Sequence, residues 1–389
     1  MAGKFCLDWF SGASAQVELF SPQHDGDDDL YQLKYTPAFR STIRPPVEER
    51  PLGPGDLEPI NAQLDQLVTT IGARFGGAAA GATAVAPGKS IEVMEMLGQQ
   101  LLSLVLPQYV QADLRSSDLF LEIGMDESLL EYPWELMHDG DNFLCLKHAV
   151  GRFVNGAVLI PMAQQQFDRA APLEELSVLL VSVPAPQPRG AKSYDPLPEA
   201  EAETHAILDA LKGLPGVKVN VLVGKNATYN ELFKALRFGT YQIVHFNGHA
   251  YFNEERPRDS GLVLHDQDMK TGAVVGYFGK RPPVLCFINA CETARVGKWN
   301  ERYDIFGLAR AFLETGTYLL GSRWRINDKA AAEFATKFYS ALIGDGKAVG
   351  TAMLEARRLC KNSAHDEFAW ASYMYYGDPR MCFRRLSGV

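Results

Sequence analysis

From residue 176 onward the chain alternates between two kinds of pattern. The run LSVLLVSVPA (176–185) is continuously apolar and rich in β-branched residues, as expected of a strand buried on both faces. Further along, EAEAETHAILDALKGL (199–214) spaces its apolar residues at helical intervals and predicts an amphipathic helix ending near Gly213. The alternation then repeats. VKVNVLVG reads as a strand, TYNELFKALRFG as a helix with Thr228 at its N-cap and Gly239 past its end, and YQIVHFNG as a strand. PPVLCFINAC is a further strand, YDIFGLARAFLETG a helix and TYLLGSRW a strand. DKAAAEFATKFYSALIG and AVGTAMLEARRLCKN are closing helices. Strands that alternate with helices predict an α/β fold: a doubly wound, mostly parallel sheet flanked by helices.

The first 170 residues are patterned differently. AQVELF and LYQLKY alternate apolar and polar positions and flank the acidic turn HDGDDD, which predicts antiparallel strands with a solvated tip. That acidic run lacks the spacing and the final glutamate of an EF-hand loop. RPPVEERPLGPG interrupts the pattern with proline and glycine. A helix over LEPINAQLDQLVTTIGARF, a loop of small residues (76–89) and a helix over IEVMEMLGQQLLSLVL capped by Ser90 come next, then a strand at DLFLEI. The change of character places a domain boundary near residue 170: an N-terminal scaffold (1–170) and a second domain (171–389).

Composition narrows the function classes. The 389 residues carry a formal net charge of −9 and no Lys/Arg-rich run, which argues against a nucleic-acid surface. No apolar run reaches the length of a membrane span, and MAGKFCLDWFSG has no basic segment leading into an apolar one, so a cytoplasmic protein is expected. The six cysteines are scattered with no C-x-x-C pair, which favours reduced thiols over a disulfide framework or a zinc site. No Walker or dinucleotide glycine motif is present, and no cofactor or metal is expected.

Two strand ends carry the chemistry. YQIVHFNGHAYF places His249 just past a buried strand, and VLCFINACETA places Cys291 just past another. In open α/β sheets, active sites lie beyond the carboxyl ends of the strands. A histidine beside a cysteine can take the thiol proton and leave the nucleophilic thiolate. Acyl transfer also needs oxyanion donors; the N–H groups of Gly248 and of Cys291 itself are available for that task. Spacing alone leaves Cys291 open to a second reading, as a small buried hydrophobe. His245 reads as a packed or hydrogen-bonded supporting residue and Cys286 as core. A metal site from His245, His249 and His265 lacks a carboxylate or thiolate at ligand spacing.

In the order VHFNGHA, SGLVLHD and VLCFINACETA, these segments resemble the core of CHAT-domain proteins, caspase-like cysteine peptidases of clan CD related to caspases and separase. Flanking segments extend the likeness over roughly residues 115–382: EYPWELMHDGDNFLCLKHAVGR, LPEAEAETHAIL, GLARAFLETGTYLLGSRWRINDKAAAEF and WASYMYYGDP. The resemblance implies a caspase-like fold with His249 and Cys291 as catalytic dyad and an N-terminal degenerate caspase-like half serving as scaffold. Trp134 and Pro133 pack within that half. Gly248-His249-Ala250 and Asn289-Ala290-Cys291 stand where the family often has Gly-His-Gly and Ser-Ala-Cys, so Asn289 joins His245 as a residue supporting the dyad.

The resemblance also implies where the residue before the cut is read. SRWRINDK offers Asp328, matching an aspartate that selects arginine in separase, and Arg325, matching an arginine that selects aspartate in caspases. Asp328 also reads as a helix N-cap, and Asp304 is a third candidate acid. The expected function is a cysteine endopeptidase that cleaves a protein partner in bacterial anti-phage defence or programmed cell death, for example a gasdermin-like pore former. No tetratricopeptide repeat is visible, so a separate sensor or activator protein is expected. The alternative is a catalytically silent interaction module that binds a partner through the same cleft.

Overall fold

A computed structural model describes residues 4–9, 13–20, 32–37, 47–49, 54–73, 87–126, 129–130, 132–154, 175–189, 193–251, 259–278, 281–292, 312–313, 315–324 and 326–386. The strands, in chain order, are β1 (Lys4–Trp9), β2 (Ser14–Phe20), β3 (Gln32–Thr36), β4 (Val47–Glu49), β5 (Phe120–Met125), β6 (Ala149–Val154), β7 (Leu176–Ser182) and β8 (Val217–Val223). They continue with β9 (Ile243–Tyr251), β10 (Gly261–Val263), β11 (Asp268–Lys270), β12 (Leu285–Glu292), β13 (Tyr318–Ser322), β14 (Tyr373–Tyr376) and β15 (Met381–Leu386). The residues gather into two compact units.

One unit comprises residues 11–156 and 377–380. Its β2, β5 and β6 are parallel, and β2, β3 and β4 follow each other antiparallel, as the alternation of AQVELF and LYQLKY predicts. The helices Pro54–Ala73, Pro87–Val105 and Gln108–Ser116 intervene before β5. Ser90 lies inside the second helix, which begins at Pro87, so it is not the cap that its residue type predicts. A Cβ at Gly98 would fall 2.2 Å from the Leu136 carbonyl oxygen, so only glycine lets this helix lie against the Pro-Trp-Glu-Leu segment. Trp134 is fully buried and donates its indole N–H to the Leu129 carbonyl at 2.8 Å. Glu135 and Arg152 form a buried bidentate pair: Arg152 Nε donates to Glu135 Oε1 at 2.6 Å, and Nη2 donates to Oε2. The guanidinium also donates to the carbonyls of Leu130 and Tyr132, each at 2.9 Å.

The other unit comprises residues 1–10, 157–376 and 381–389. Its parallel strands stand in the order β8-β7-β9-β12-β13, closed by antiparallel β14. The chain runs from β7 outward to β8 and then back across to β9, which makes the β7/β9 junction the point where the winding reverses. β1 pairs antiparallel with β15, so the two ends of the chain share one ribbon. Alternate residues of β9 and β12 face opposite layers. Val244, Phe246, Cys286 and Ile288 meet Leu232, Leu236 and Val274 from the helices Tyr229–Phe238 and Thr271–Tyr277. On the opposite face, Phe287 lies among Phe338, Tyr339 and Tyr373, with ring centroids 5.6–6.1 Å apart. The helices Pro198–Leu211 and Asp328–Tyr339 cover that face. Thr228 caps the helix Tyr229–Phe238 as predicted, accepting the Glu231 N–H at 3.3 Å. The helix predicted over residues 303–316 lies largely outside the described residues.

This is a mixed α/β fold with a mostly parallel sheet and flanking helices, as the sequence pattern predicts. No helix among the described residues is long and apolar enough to cross a membrane.

Candidate functional site

β9 and β12 run parallel, paired from Ile243 with Leu285 to Ala250 with Glu292. Within this register Cys291 lies directly across from His249, and Asn289 directly across from Asn247. Paired positions share a sheet face, and so do positions two apart along a strand. Positions 245, 247 and 249 and positions 287, 289 and 291 therefore form two adjacent rows. Positions 249 and 291 are the last of each row, at the carboxyl ends of the strands.

β9 changes partners at this point. Its residues 243–247 pair with β7 in parallel, and residues 249–251 pair with β10 antiparallel. Gly248 occupies the changeover. A Cβ there would lie 3.0 Å from Cζ of Phe246 and 3.3 Å from Cβ of Val183. The missing side chain lets the backbone sit close to both.

His249 is 1% exposed. Its Nε2 lies 2.8 Å from the carbonyl oxygen of Asp195. A carbonyl only accepts, so Nε2 carries the ring proton, and in the neutral ring Nδ1 is the nitrogen able to take another. The Tyr194 ring lies against the imidazole, with centroids 5.5 Å apart and planes 32° apart. The segment that supplies both contacts is anchored at several points. The Leu197 N–H donates to the Pro184 carbonyl at 2.7 Å. Arg189 donates to Asp268 and to the Leu264 carbonyl, and its guanidinium lies 5.8 Å from the centre of the Tyr194 ring.

One step below His249 and Cys291 is a buried polar cluster centred on Glu203, from the helix Pro198–Leu211. Glu203 is 2% exposed. Its carboxylate accepts from Asn247 Nδ2 at 2.6 Å and from Asn289 Nδ2 at 2.8 and 3.0 Å. Asn289 Oδ1 in turn accepts from the Tyr373 hydroxyl at 3.3 Å. His245, fully buried, places Nε2 3.0 Å from Glu203 Oε1, at ion-pair distance but without hydrogen-bond alignment, and Nδ1 3.3 Å from the Tyr339 hydroxyl. Burial pushes the Tyr339 hydroxyl well above the usual tyrosine range, so it stays protonated beside the imidazole.

Asn327, not Asp328, caps the helix Asp328–Tyr339: its side chain accepts the Lys329 N–H at 2.9 Å. Asp328 is the first helical residue and is half-buried. Arg325 and Asp304 lie outside the described residues. Cys286 and Cys360 are fully buried, and burial pushes their thiols up, that of Cys360 to about 12, so neither supplies a thiolate at neutral pH. Among the described residues no group of three His, Cys, Asp or Glu gathers in a way that could hold a metal ion. Sequence reasoning missed Asp195, Tyr194 and Glu203. Asp195 acts through its backbone, which leaves no side-chain signature, and Glu203 reads as one more polar residue of an amphipathic helix.

Comparison with known proteins agrees with this architecture. The structure is similar to that of a Saccharomyces cerevisiae separase in complex with securin, with a TM-score of 0.54 and 11% identity, covering 94% of this chain and 30% of the separase chain. It is also similar to the Arg-specific cysteine proteinase gingipain R, with a TM-score of 0.47 and 12% identity over 85% of this chain and 76% of that one. A caspase-1 from Spodoptera frugiperda matches with a TM-score of 0.32 and 16% identity over 55% of this chain and 86% of that one. At 11% identity the likeness to separase bears on the fold alone. No curated protein matches the sequence. The family model described as the CHAT domain matches residues 95–378, more than half of the sequence and the whole of β9 and β12, and the chain belongs to that family.

Proposed function

We propose that this chain is a cysteine endopeptidase in which Cys291 is the nucleophile and His249 the base. The observation that carries this reading is the register of β9 and β12, which sets position 291 across from position 249 at the carboxyl end of a parallel sheet. The hydrogen bond from His249 Nε2 to the Asp195 carbonyl adds to it, because it leaves Nδ1 as the nitrogen that accepts a proton. In this reading the Cys291 thiol gives its proton to His249, and the thiolate attacks the peptide carbonyl. The N–H groups of Gly248 and Cys291 receive the oxyanion. His249 then protonates the departing amine, leaving a thioester, and takes a proton from the water that hydrolyses it.

The partner belongs to the proposal as well. A specific protein substrate, for example a gasdermin-like pore former released in bacterial defence, and a separate activating protein follow from the family resemblance, not from the geometry of the site. The same holds for reading the residue before the cut through Asp328, Arg325 or Asp304.

A panel of acyloxymethyl-ketone peptides with Arg, Asp or Leu before the warhead tests the reading, with Cys291→Ala as control. Labelling by one member of the panel and its loss in the variant is expected. Arg selectivity points to Asp328 and Asp selectivity to Arg325. Labelling that persists in Cys291→Ala, or protein that never labels even with co-expressed candidate activators, counts against the enzyme and for a silent binding module.

A further inference from the structure

We infer that Glu203 is the positioning residue of this site: one buried carboxylate that clasps the two strands carrying the dyad and sets His249 against Cys291. The inference rests on the peptidase reading and deepens it. Three observations converge on Glu203. It is 2% exposed, an environment in which a carboxylate is retained only with several partners. Its partners come from both strands, Asn247 at 2.6 Å from β9 and Asn289 at 2.8 and 3.0 Å from β12. Those asparagines are paired with each other in the sheet and stand two residues before His249 and Cys291 respectively, on the same face.

The consequence is geometric. Parallel pairing is slightly less stable per residue than antiparallel pairing. A carboxylate receiving N–H groups from both strands at a single step opposes a slip of one strand along the other immediately below the dyad. Asn289 is held a second time by the Tyr373 hydroxyl, and Asn247 also donates to the Ala200 carbonyl at 3.2 Å, so neither amide is able to turn without losing a second bond. His245 at 3.0 Å completes the cluster from the next step down. Glu203 touches neither a substrate nor the reacting atoms; it acts through its neighbours.

Glutamine at 203 presents an NH2 group to two amide NH2 groups, so one acceptor is replaced by a donor facing donors. The rate at which iodoacetamide alkylates Cys291, followed by mass spectrometry from pH 5 to 9.5, reads the effect. The reagent is small and neutral, and alkylation joins the thiolate sulfur to carbon with loss of iodide. A cysteine activated by a histidine has its half-maximal rate below about pH 7.5, and an ordinary thiol near pH 8.5. The expected result is that Glu203→Gln moves the half-point up by at least one pH unit and leaves the plateau rate at pH 9.5 within twofold of wild type. His249→Ala moves it equally, and the double variant no further. A merely structural role changes the plateau or the labelled fraction, not the half-point. If Glu203→Gln does not fold, Glu203→Gln/Asn289→Asp restores an acceptor opposite the new donor and decides the matter: a half-point at the wild-type value supports the clasp, and one at the His249→Ala value overturns it. A half-point that His249→Ala leaves unmoved overturns the dyad itself, whereas one moved by His249→Ala and unmoved by Glu203→Gln overturns this inference alone.

Discussion

Replacing Glu135 by alanine should be among the most damaging single changes outside the candidate site. The Arg152 side chain is fully buried and donates two hydrogen bonds to the Glu135 carboxylate and one each to the Leu130 and Tyr132 carbonyls. Removing the carboxylate leaves a guanidinium that stays charged and is shut away from water, without the two hydrogen bonds that the carboxylate accepted. Breaking a buried pair in this way costs about 3–5 kcal/mol. For a unit of this size each kcal/mol lowers Tm by about 2–4 °C, so a fall of about 6–20 °C is expected. Glu135→Gln keeps one acceptor and should lose roughly half as much. The pair is buried, so 1 M salt should change neither result much, unlike a surface ion pair. Urea and thermal denaturation of the full chain, followed by circular dichroism, give the numbers. A loss below about 1 kcal/mol in Glu135→Ala would refute the reasoning, because it would mean that solvent reaches the guanidinium.

Two further outcomes follow from single positions. Gly248→Ala brings a methyl group within 3.0–3.3 Å of Phe246 and Val183. Overpacking of this kind costs about 1–3 kcal/mol; with the strain falling next to His249, peptide cleavage should drop at least tenfold while the protein remains folded, as steady-state kinetics beside a melting curve will show. His148 is buried, and burial pushes its imidazole down to about 4, while its Nδ1 accepts the Leu119 N–H at 3.2 Å. The unfolded chain therefore binds a proton that the folded chain refuses, so stability falls as pH drops from about 6.5 toward 4. NMR titration should find this ring still neutral at pH 5, and a ring that titrates near 6.5 would contradict the assignment.

How much of this was legible in the sequence depends on how local each signal is. β9 and β12 were readable because each is a buried run ending in a residue with its own chemistry, and Thr228 because a cap acts within one turn. The caps at Ser90 and Asp328 were misplaced because a polar residue in the first turn of a helix has the same composition as the cap just outside it; Asn327 takes that role one residue earlier. β10 and β11 span three residues each, too short for a period-two pattern to show. The pairing of β1 with β15 joins the two ends of the chain, and alternation announces a strand without naming its partner. Glu203 was hidden for a related reason. In EAEAETHAIL three glutamates look alike, and only the packing of the helix on the sheet singles out the one turned toward Asn247 and Asn289.

The fold also bears on why positions 249 and 291 sit where they do. Parallel strands end together on one side of the sheet, and the winding reverses between β7 and β9. β7 stops pairing at Ser182 and β10 takes over beside β9 from His249, so the last residues of β9 are held on both sides although they extend past β7. The segment that delivers the Asp195 carbonyl is tied back to the same region through Arg189 and Asp268. The candidate base is thus fixed by backbone from two directions before any substrate arrives.

The central claim is that His249 activates Cys291, and peptide mapping of the protein after reaction with a labelling acyloxymethyl ketone tests it most directly. The account predicts one added probe per chain, attached at Cys291 in the wild type, absent in Cys291→Ala, and formed at least a hundredfold more slowly in His249→Ala. Modification at another cysteine, or equal labelling of Cys291 with and without His249, would contradict it.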